Sequence, residues 1–246
     1  MNLRCTTLLV ALLGTIPPAA FSDRTAITRA GAWEAGFSAP THRYGHAVLG
    51  DTPEWGTLCV RGPGLERCVT LPEERVFEDI APRLADVDRD GRSDVVVVES
   101  DRRYGAALVV YLTEASGRLR RLSTPPIGTA YRWLAPVGIA DIDRDGFIEL
   151  AYVDRPHLAR VLRVWRYRDG KLAQIASKPG FSNHRIGDDF IVGGVRDCGR
   201  DAIELVTADA FWAHVVATRL EAGQLLERVV GPLAGDASIE RALACP

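Results

Sequence analysis

Lysine is nearly missing from this chain: of 30 basic residues only Lys171 and Lys178 are lysines, which we read as a composition effect and not as function. Past the first 22 residues no stretch is long and apolar enough to cross a bilayer as a helix. There is no Cys-x-x-Cys, so a redox or zinc reading is weak. Gly-x-Ser-x-Gly, His-Glu-x-x-His and a glycine-rich phosphate loop before a helix are all missing, which removes the common hydrolase and nucleotide signatures. A basic excess is missing too: the formal net charge is −2, which argues against nucleic acid as the main partner.

What is present begins with a leader. Arg4 supplies a positive start, residues 8–16 form a short apolar run, and Ala20-Phe21-Ser22 offers small residues for cleavage, so residues 1–22 read as a secretory signal peptide. Cys5 precedes the apolar run and is therefore no lipoprotein acceptor. Removing one arginine and no acid takes the net charge to −3. Four cysteines remain, Cys59, Cys68, Cys198 and Cys245, an even count that suggests disulfides in an oxidising, periplasmic or extracellular, compartment. Three connectivities are possible. Cys59–Cys68 is favoured, because the turn-rich Gly62-Pro63-Gly64 between them would set the two opposite each other in a hairpin. That leaves Cys198–Cys245.

The loudest pattern is a repeated nonapeptide, Asp86-Val-Asp88-Arg-Asp90-Gly-Arg92-Ser-Asp94 and Asp141-Ile-Asp143-Arg-Asp145-Gly-Phe147-Ile-Glu149, offset by 55 residues. Carboxylates stand at positions 1, 3, 5 and 9, and glycine (Gly91, Gly146) stands at position 6. Alternate carboxylates in a tight loop can converge, position 7 (Arg92, Phe147) can add a backbone carbonyl, and Ca²⁺ takes about six to eight oxygens. Two Ca²⁺ sites are expected. Two bound ions would reverse the sign of the net charge. An EF-hand is disfavoured, since position 12 is Val97 or Tyr152 and the flanks are strand-like.

The nonapeptides sit in a longer repeat of short β-branched and aliphatic runs broken by Gly, Asp and Pro. Four units of four strands are expected at residues 27–71, 80–122, 135–176 and 188–230, with a tail at 231–246. In the first unit the inner strand is placed within residues 27–37 around Trp33 and the second at residues 47–50. In the last, residues 190–195 take the inner place. Four-stranded antiparallel sheets repeated radially predict an all-β fold, a small β-propeller of about four blades in one domain. Five blades, or a curved array that does not close, are alternatives.

Asp-h-Asp-x-Asp-Gly-x-x-Asp/Glu, with h apolar, followed by an aliphatic strand resembles the FG-GAP/VCBS repeats of integrin α-subunit heads and many secreted bacterial proteins. The resemblance covers residues 81–98 and 136–153 best. It implies a propeller whose loops between first and second strands bind Ca²⁺ through Asp86, Asp88, Asp90, Asp94, Asp141, Asp143, Asp145 and Glu149. The chain departs from that family where its Phe-Gly and Gly-Ala-Pro signatures should stand. The last unit departs further: Arg196-Asp197-Cys198-Gly199-Arg200-Asp201 keeps two acids and admits two arginines, so a metal is not expected there. A Cys198–Cys245 disulfide would staple that loop instead.

Opposite the acidic loops, the second strands end near Asp51, Asp101, Asp154 and Asp209, each followed by a ring: Trp55, Tyr104, His157 and Trp212. The crossings between units add Arg75, Glu78, Tyr131, Arg132, Trp133, His184 and Arg185. Asp is a common turn residue and aromatics often pack between blades. The functional alternative is a face of carboxylates, arginines and rings suited to a protein, peptide or glycan. We therefore read the chain as a non-enzymatic binding module; a hydrolase using carboxylates and His184 is the runner-up, and an envelope-complex subunit with a large apolar face is a third reading.

Overall fold

The computed structural model describes residues 26–199 and 203–245, so the expected signal peptide lies outside the described residues. Runs rich in Val, Leu and Ile become strands, and Gly, Asp and Pro clusters become turns. In chain order β1 (Ile27–Ala30), β2 (Trp33–Thr41), β3 (Glu54–Gly62) and β4 (Leu65–Thr70) form a first antiparallel meander. The second has a divided first strand, β5 (Arg75–Phe77) and β6 (Arg83–Ala85), both paired with β7 (Asp94–Asp101), then β8 (Gly105–Thr113) and β9 (Leu119–Ser123). The third is β10 (Leu134–Ala140), β11 (Glu149–Asp154), β12 (Val161–Arg168) and β13 (Lys171–Pro179). The fourth again divides its first strand, β14 (Phe181–Ser182) and β15 (Gly194–Arg196), against β16 (Glu204–Asp209), followed by β17 (His214–Glu221) and β18 (Gln224–Pro232). A short helix, α1 (Ala237–Leu243), follows.

A single bridge, Trp55 to Phe77, fuses the first two meanders, so the sheets hold nine, four and five strands. The fold is all-β and antiparallel, as the sequence indicates. Among the described residues no strand of the first meander pairs with one of the last. Contact between those two regions runs through loops, where the Gly187 N–H donates to Val48 O at 3.2 Å.

The sheets stack face to face, and the period of two in β7 shows it. Val95 and Val97 enter a cluster with Phe37, Leu58 and Val60, while Val96 and Val98 enter another with Leu134, Leu150 and Tyr152. A third cluster joins Ala151, Val153 and Leu162 to Leu205, Val216 and Leu220. The outer face of the last sheet packs Val206 and Val215 on Ile239 and Ala242 of α1. Each fully buried aliphatic side chain in these layers contributes roughly 1.5–3 kcal/mol. The third and fourth meanders approach closely at Gly138, where an added Cβ would lie 2.1 Å from Val195 Cγ2.

Three expectations are corrected. Residues 47–50 are a turn, with positive φ at Ala47 and Gly50, and the second strand of the first meander is β2. Trp33 therefore opens the second strand, after a β1–β2 hairpin, and is not in the inner one. In the last unit residues 190–193 are irregular, and the inner strand is split between β14 and β15. The tail, in contrast, contributes structure: its first residues complete β18 and Ala237–Leu243 form α1.

Candidate functional site

The two nonapeptides fold alike because the carboxylates at positions 1, 5 and 9 accept from backbone N–H groups. Asp86 accepts from Asp90 N (3.0 Å) and Gly91 N (2.9 Å), and Asp141 from Gly146 N (3.1 Å). Position 5 accepts from position 7, Asp90 from Arg92 N (2.9 Å) and Asp145 from Phe147 N (3.0 Å). Position 9 accepts from position 2, Asp94 from Val87 N (2.9 Å) and Glu149 from Ile142 N (2.8 Å). Gly91 and Gly146 take φ of 87° and 94°, which glycine adopts without strain.

In each loop three carboxylates converge to within 4.8 Å, Asp86, Asp88 and Asp90 in one, Asp141, Asp143 and Glu149 in the other. Asp88 Oδ1, Asp141 Oδ1 and Asp143 Oδ1 are buried and lack any hydrogen-bond partner. An unpaired buried carboxylate oxygen is costly, and a cation held among these atoms would relieve that cost. Burial, and then the charges of Asp90 and Asp86, push the Asp88 carboxyl up. Burial likewise pushes Asp94 up to about 7, against bonds from the Thr113 and Val87 N–H groups that pull it down. Asp94 is fully enclosed, one oxygen on Val87 N and the other on Thr113 N at 2.9 Å.

The loops differ in what faces the acids. In the second, Arg166 of β12 lies opposite Glu149 and reaches three carboxylates: Nε to Glu149 at 2.6 Å, Nη2 to Asp143 at 2.7 Å and Nη1 to Asp145 at 2.7 Å. Burial pushes Glu149 up, and Arg166 pulls it back. In the first, among the described residues, Arg92 alone touches the acids; it pairs with Asp90 and donates Nε to Thr113 O at 2.7 Å. Phe147, at the matching place, lies under Arg168 at 4.8 Å.

The last meander solves the same problem differently. By register, Glu204 opposite Arg196 matches Asp94 opposite Ala85 and Glu149 opposite Ala140. Burial raises the Glu204 carboxyl, but Arg228 and Arg196 outweigh it and hold it below the usual range. Cys198–Cys245 pins the loop to the end of α1, and Cys59–Cys68 bridges directly opposed residues of β3 and β4. Both favoured pairings are thus present. The three loops are also latched in series: Arg89 Nη2 lies 2.7 Å from Asp141 and Arg144 Nη2 3.0 Å from Asp197.

At the other end of the strands, the predicted face divides. Asp101 accepts from the N–H groups of Arg103 and Tyr104, and Asp209 from those of Phe211 and Ala213, so both shape their own turns. Tyr104 is exposed beside this turn. Asp154 is buried between Arg155 and Arg163. Arg185 lies over Trp212, 3.8 Å from the ring centre, on the last meander.

Arg132, Trp133 and His157 do come together, in a cleft of about 300 Å³ that also holds Tyr131 and Arg155. His184 stands behind it: it is buried, its Nδ1 lies 2.9 Å from His157 Nε2, and its Nε2 donates to Asp188 O at 3.0 Å. Trp133 is buried too, donates Nε1 to Glu78 O at 2.8 Å, and packs edge-on to His184. Burial, and then His184, push His157 down to about 4, so it is neutral near pH 7.

His46 is the residue sequence reasoning missed here. Its Nδ1 lies 2.6 Å from the buried carboxylate of Glu78, which also accepts from Ser100. Nothing in the primary pattern joins His46, Glu78 and Ser100; they meet because β5 pairs with β7 and the loop after β2 folds across them.

Residues 86–152, which contain both acidic nonapeptides, match the family described as FG-GAP-like repeat. No curated protein matches the chain. The acidic loops, the meanders that carry them and this match agree, and residues 86–152 form an FG-GAP-type repeat region.

Proposed function

We propose that this chain is an exported, Ca²⁺-stabilised module of β-propeller type that binds a protein, peptide or glycan at the end opposite its acidic loops. The observation that carries the reading is the separation of two chemistries by the length of β10 and β11. Ala140 and Glu149 are paired at the acidic end, and Leu134 and Asp154 at the cleft end.

The acidic end fits a hard divalent ion: its donors are all oxygens, and three of them are buried with nothing to accept from. Asp86, Asp88 and Asp90, with the Arg92 carbonyl and Asp94, would hold one ion. Asp141, Asp143, Asp145, the Phe147 carbonyl and Glu149 would hold a second once Arg166 withdraws. A bound ion neutralises carboxylates that otherwise repel one another, and so stabilises the loops. Two disulfides accord with an oxidising destination.

The test joins both ends. EDTA is expected to lower the thermal midpoint and Ca²⁺ to restore it. Immobilised protein is expected to retain a ligand from envelope extract in Ca²⁺, and Arg132→Ala/His157→Ala to retain less. A midpoint indifferent to EDTA, or equal recovery by both proteins, would overturn the proposal.

A further inference from the structure

The cleft at the crossing end has a charge that the rest of the chain does not predict. Its lining includes Arg132, Arg155, His46 and His157, and no Asp or Glu. Arg155 is already engaged by Asp154, with Nε at 2.8 Å and Nη2 at 3.0 Å from its oxygens, an acid it shares with Arg163. His46 is turned onto Glu78 at 2.6 Å. Burial keeps His157 neutral near pH 7, and the bonds around His184 fix which nitrogens donate. The carbonyl of Asp188 can only accept, so His184 Nε2 carries the hydrogen, its Nδ1 accepts, and His157 Nε2 donates to it. That leaves Arg132. Its bond is to the Tyr131 carbonyl at 2.8 Å, and among the described residues no carboxylate pairs with it. Among the described residues Arg132 is thus the lining guanidinium that no carboxylate meets.

The walls are of another kind. Val48 and Trp133 form buried parts of the lining, and Leu158, Ile186 and Tyr131 stand at its edge. Those three are 64%, 73% and 50% exposed, and they are three of the nine large apolar side chains that the described residues leave open to water. Exposed apolar groups gathered about a concave site mark a place where something apolar docks. A volume near 300 Å³ suits a small ligand or one side chain of a larger one.

We propose that this cleft takes a single carboxylate borne on an apolar body, with Arg132 pairing the carboxylate and Leu158, Ile186, Tyr131 and Trp133 enclosing the remainder. Guanidinium and carboxylate match as a two-pronged pair, and the absence of any lining acid removes the repulsion that would reject an anion. The same chemistry is offered by a free organic acid and by the apolar C-terminal residue of a chain. The inference rests on the reading of this end as the binding face, and narrows it.

Calorimetry of the full chain in Ca²⁺ tests it with four probes: phenylacetate, phenylacetamide, N-acetylphenylalanine and its amide. The acids are expected to bind, the amides to bind at least about tenfold more weakly, and Arg132→Gln, an exposed change that leaves the fold intact, to erase the preference for acid over amide. Preference for phenylacetate would identify a free acid as the source, and preference for N-acetylphenylalanine a chain terminus; either supports the proposal. Equal binding of acids and amides would overturn it and leave the binding face standing. No binding of any acid at about 10 mM, with capture from extract still sensitive to Arg132, would do the same. No binding together with unchanged capture by Arg132→Ala/His157→Ala would remove both readings.

Discussion

The first acidic loop and the second share a spacing, a glycine and a ladder of backbone bonds, yet they differ in charge balance. Arg166 stands inside the second loop on three carboxylates, whereas in the first, among the described residues, a guanidinium, that of Arg92, pairs with Asp90 alone. The matching place in the last meander has gone further, with Arg196 and Arg228 on Glu204 and a covalent bond at Cys198. Converging acids need a counter-charge or a staple. This chain supplies a cluster of acids proposed to take an ion, a built-in cation and a disulfide in succession, and the series predicts that the first loop depends most on metal.

The comparison can be broken at each member, starting where the effect is largest. Cys198→Ser/Cys245→Ser opens a link across 47 residues of sequence and is expected to cost about 4 kcal/mol, read as a lower denaturant midpoint whether or not Ca²⁺ is present. A loss that Ca²⁺ repairs would mean that the third loop also takes metal.

Arg166→Met is expected to remove about 3 kcal/mol from the metal-free protein, because Glu149 is fully buried and would lose its partner. Added Ca²⁺ should recover more stability in this variant than in the parent, since the ion no longer competes with a guanidinium. Thermal melts in EDTA and in Ca²⁺ measure both. Equal recovery in the two proteins would show that Arg166 does not compete for the second loop.

Asp88→Asn should act with opposite signs. In EDTA it removes a charge that Asp86 and Asp90 oppose and is expected to be neutral or stabilising by about 0.5 kcal/mol. In Ca²⁺ it should forfeit most of the ion's contribution, about 2–3 kcal/mol when the ion is at a hundredfold its Kd. A variant that responds to Ca²⁺ like the parent would remove the first loop from the account.

The cleft end sharpens the comparison as a control without metal. His157 is depressed to about 4 by burial and by His184, His46 and Arg160. The unfolded chain, with a histidine value near 6.5, therefore binds the extra proton between about pH 6.5 and 4. This contribution is complete above about pH 6.5 and is lost as pH falls toward 4. Because the ring is partly exposed, about 1–2 kcal/mol is expected, or a few degrees in Tm. His157→Gln should flatten that part of the pH profile at saturating Ca²⁺. An unaltered profile would place the titration elsewhere.

How far the sequence could be read follows from distance along the chain. The nonapeptides are local, so their turns, their glycines and the strands after them were legible. The Cys59–Cys68 pair was legible because a hairpin is local too. The β1–β2 hairpin was hidden by Gly36 and Pro40, which weaken the strand signal, although Trp33, Ala35 and Phe37 alternate onto the buried face as a strand requires. The divided inner strands were hidden because buried polar groups bridge their gaps: Asp79 accepts from Ile80 N and Val98 N, and Asn183 donates to Ala135 O and Pro136 O. Arg166 and His46 were beyond reach altogether, since each acts on acids brought to it only by strand pairing. The ring of candidate ligand residues was half legible. Turn spacing placed Arg132, Trp133 and His157 together, but it could not tell that Asp101 and Asp209 are consumed by their own turns.

The arginine latches carry one more consequence. Arg89 leaves the first loop and ends on Asp141, the leading acid of the second, and Arg144 repeats the step onto Asp197. Each such exposed contact is worth at most about 1 kcal/mol, yet together they make the three loops a belt whose links share members. Whatever draws one link inward must pay out or take up slack in the next. Filling one cage should therefore alter the affinity of its neighbour and the splay between adjacent sheets, so that the angle of the whole fan responds to a single ion.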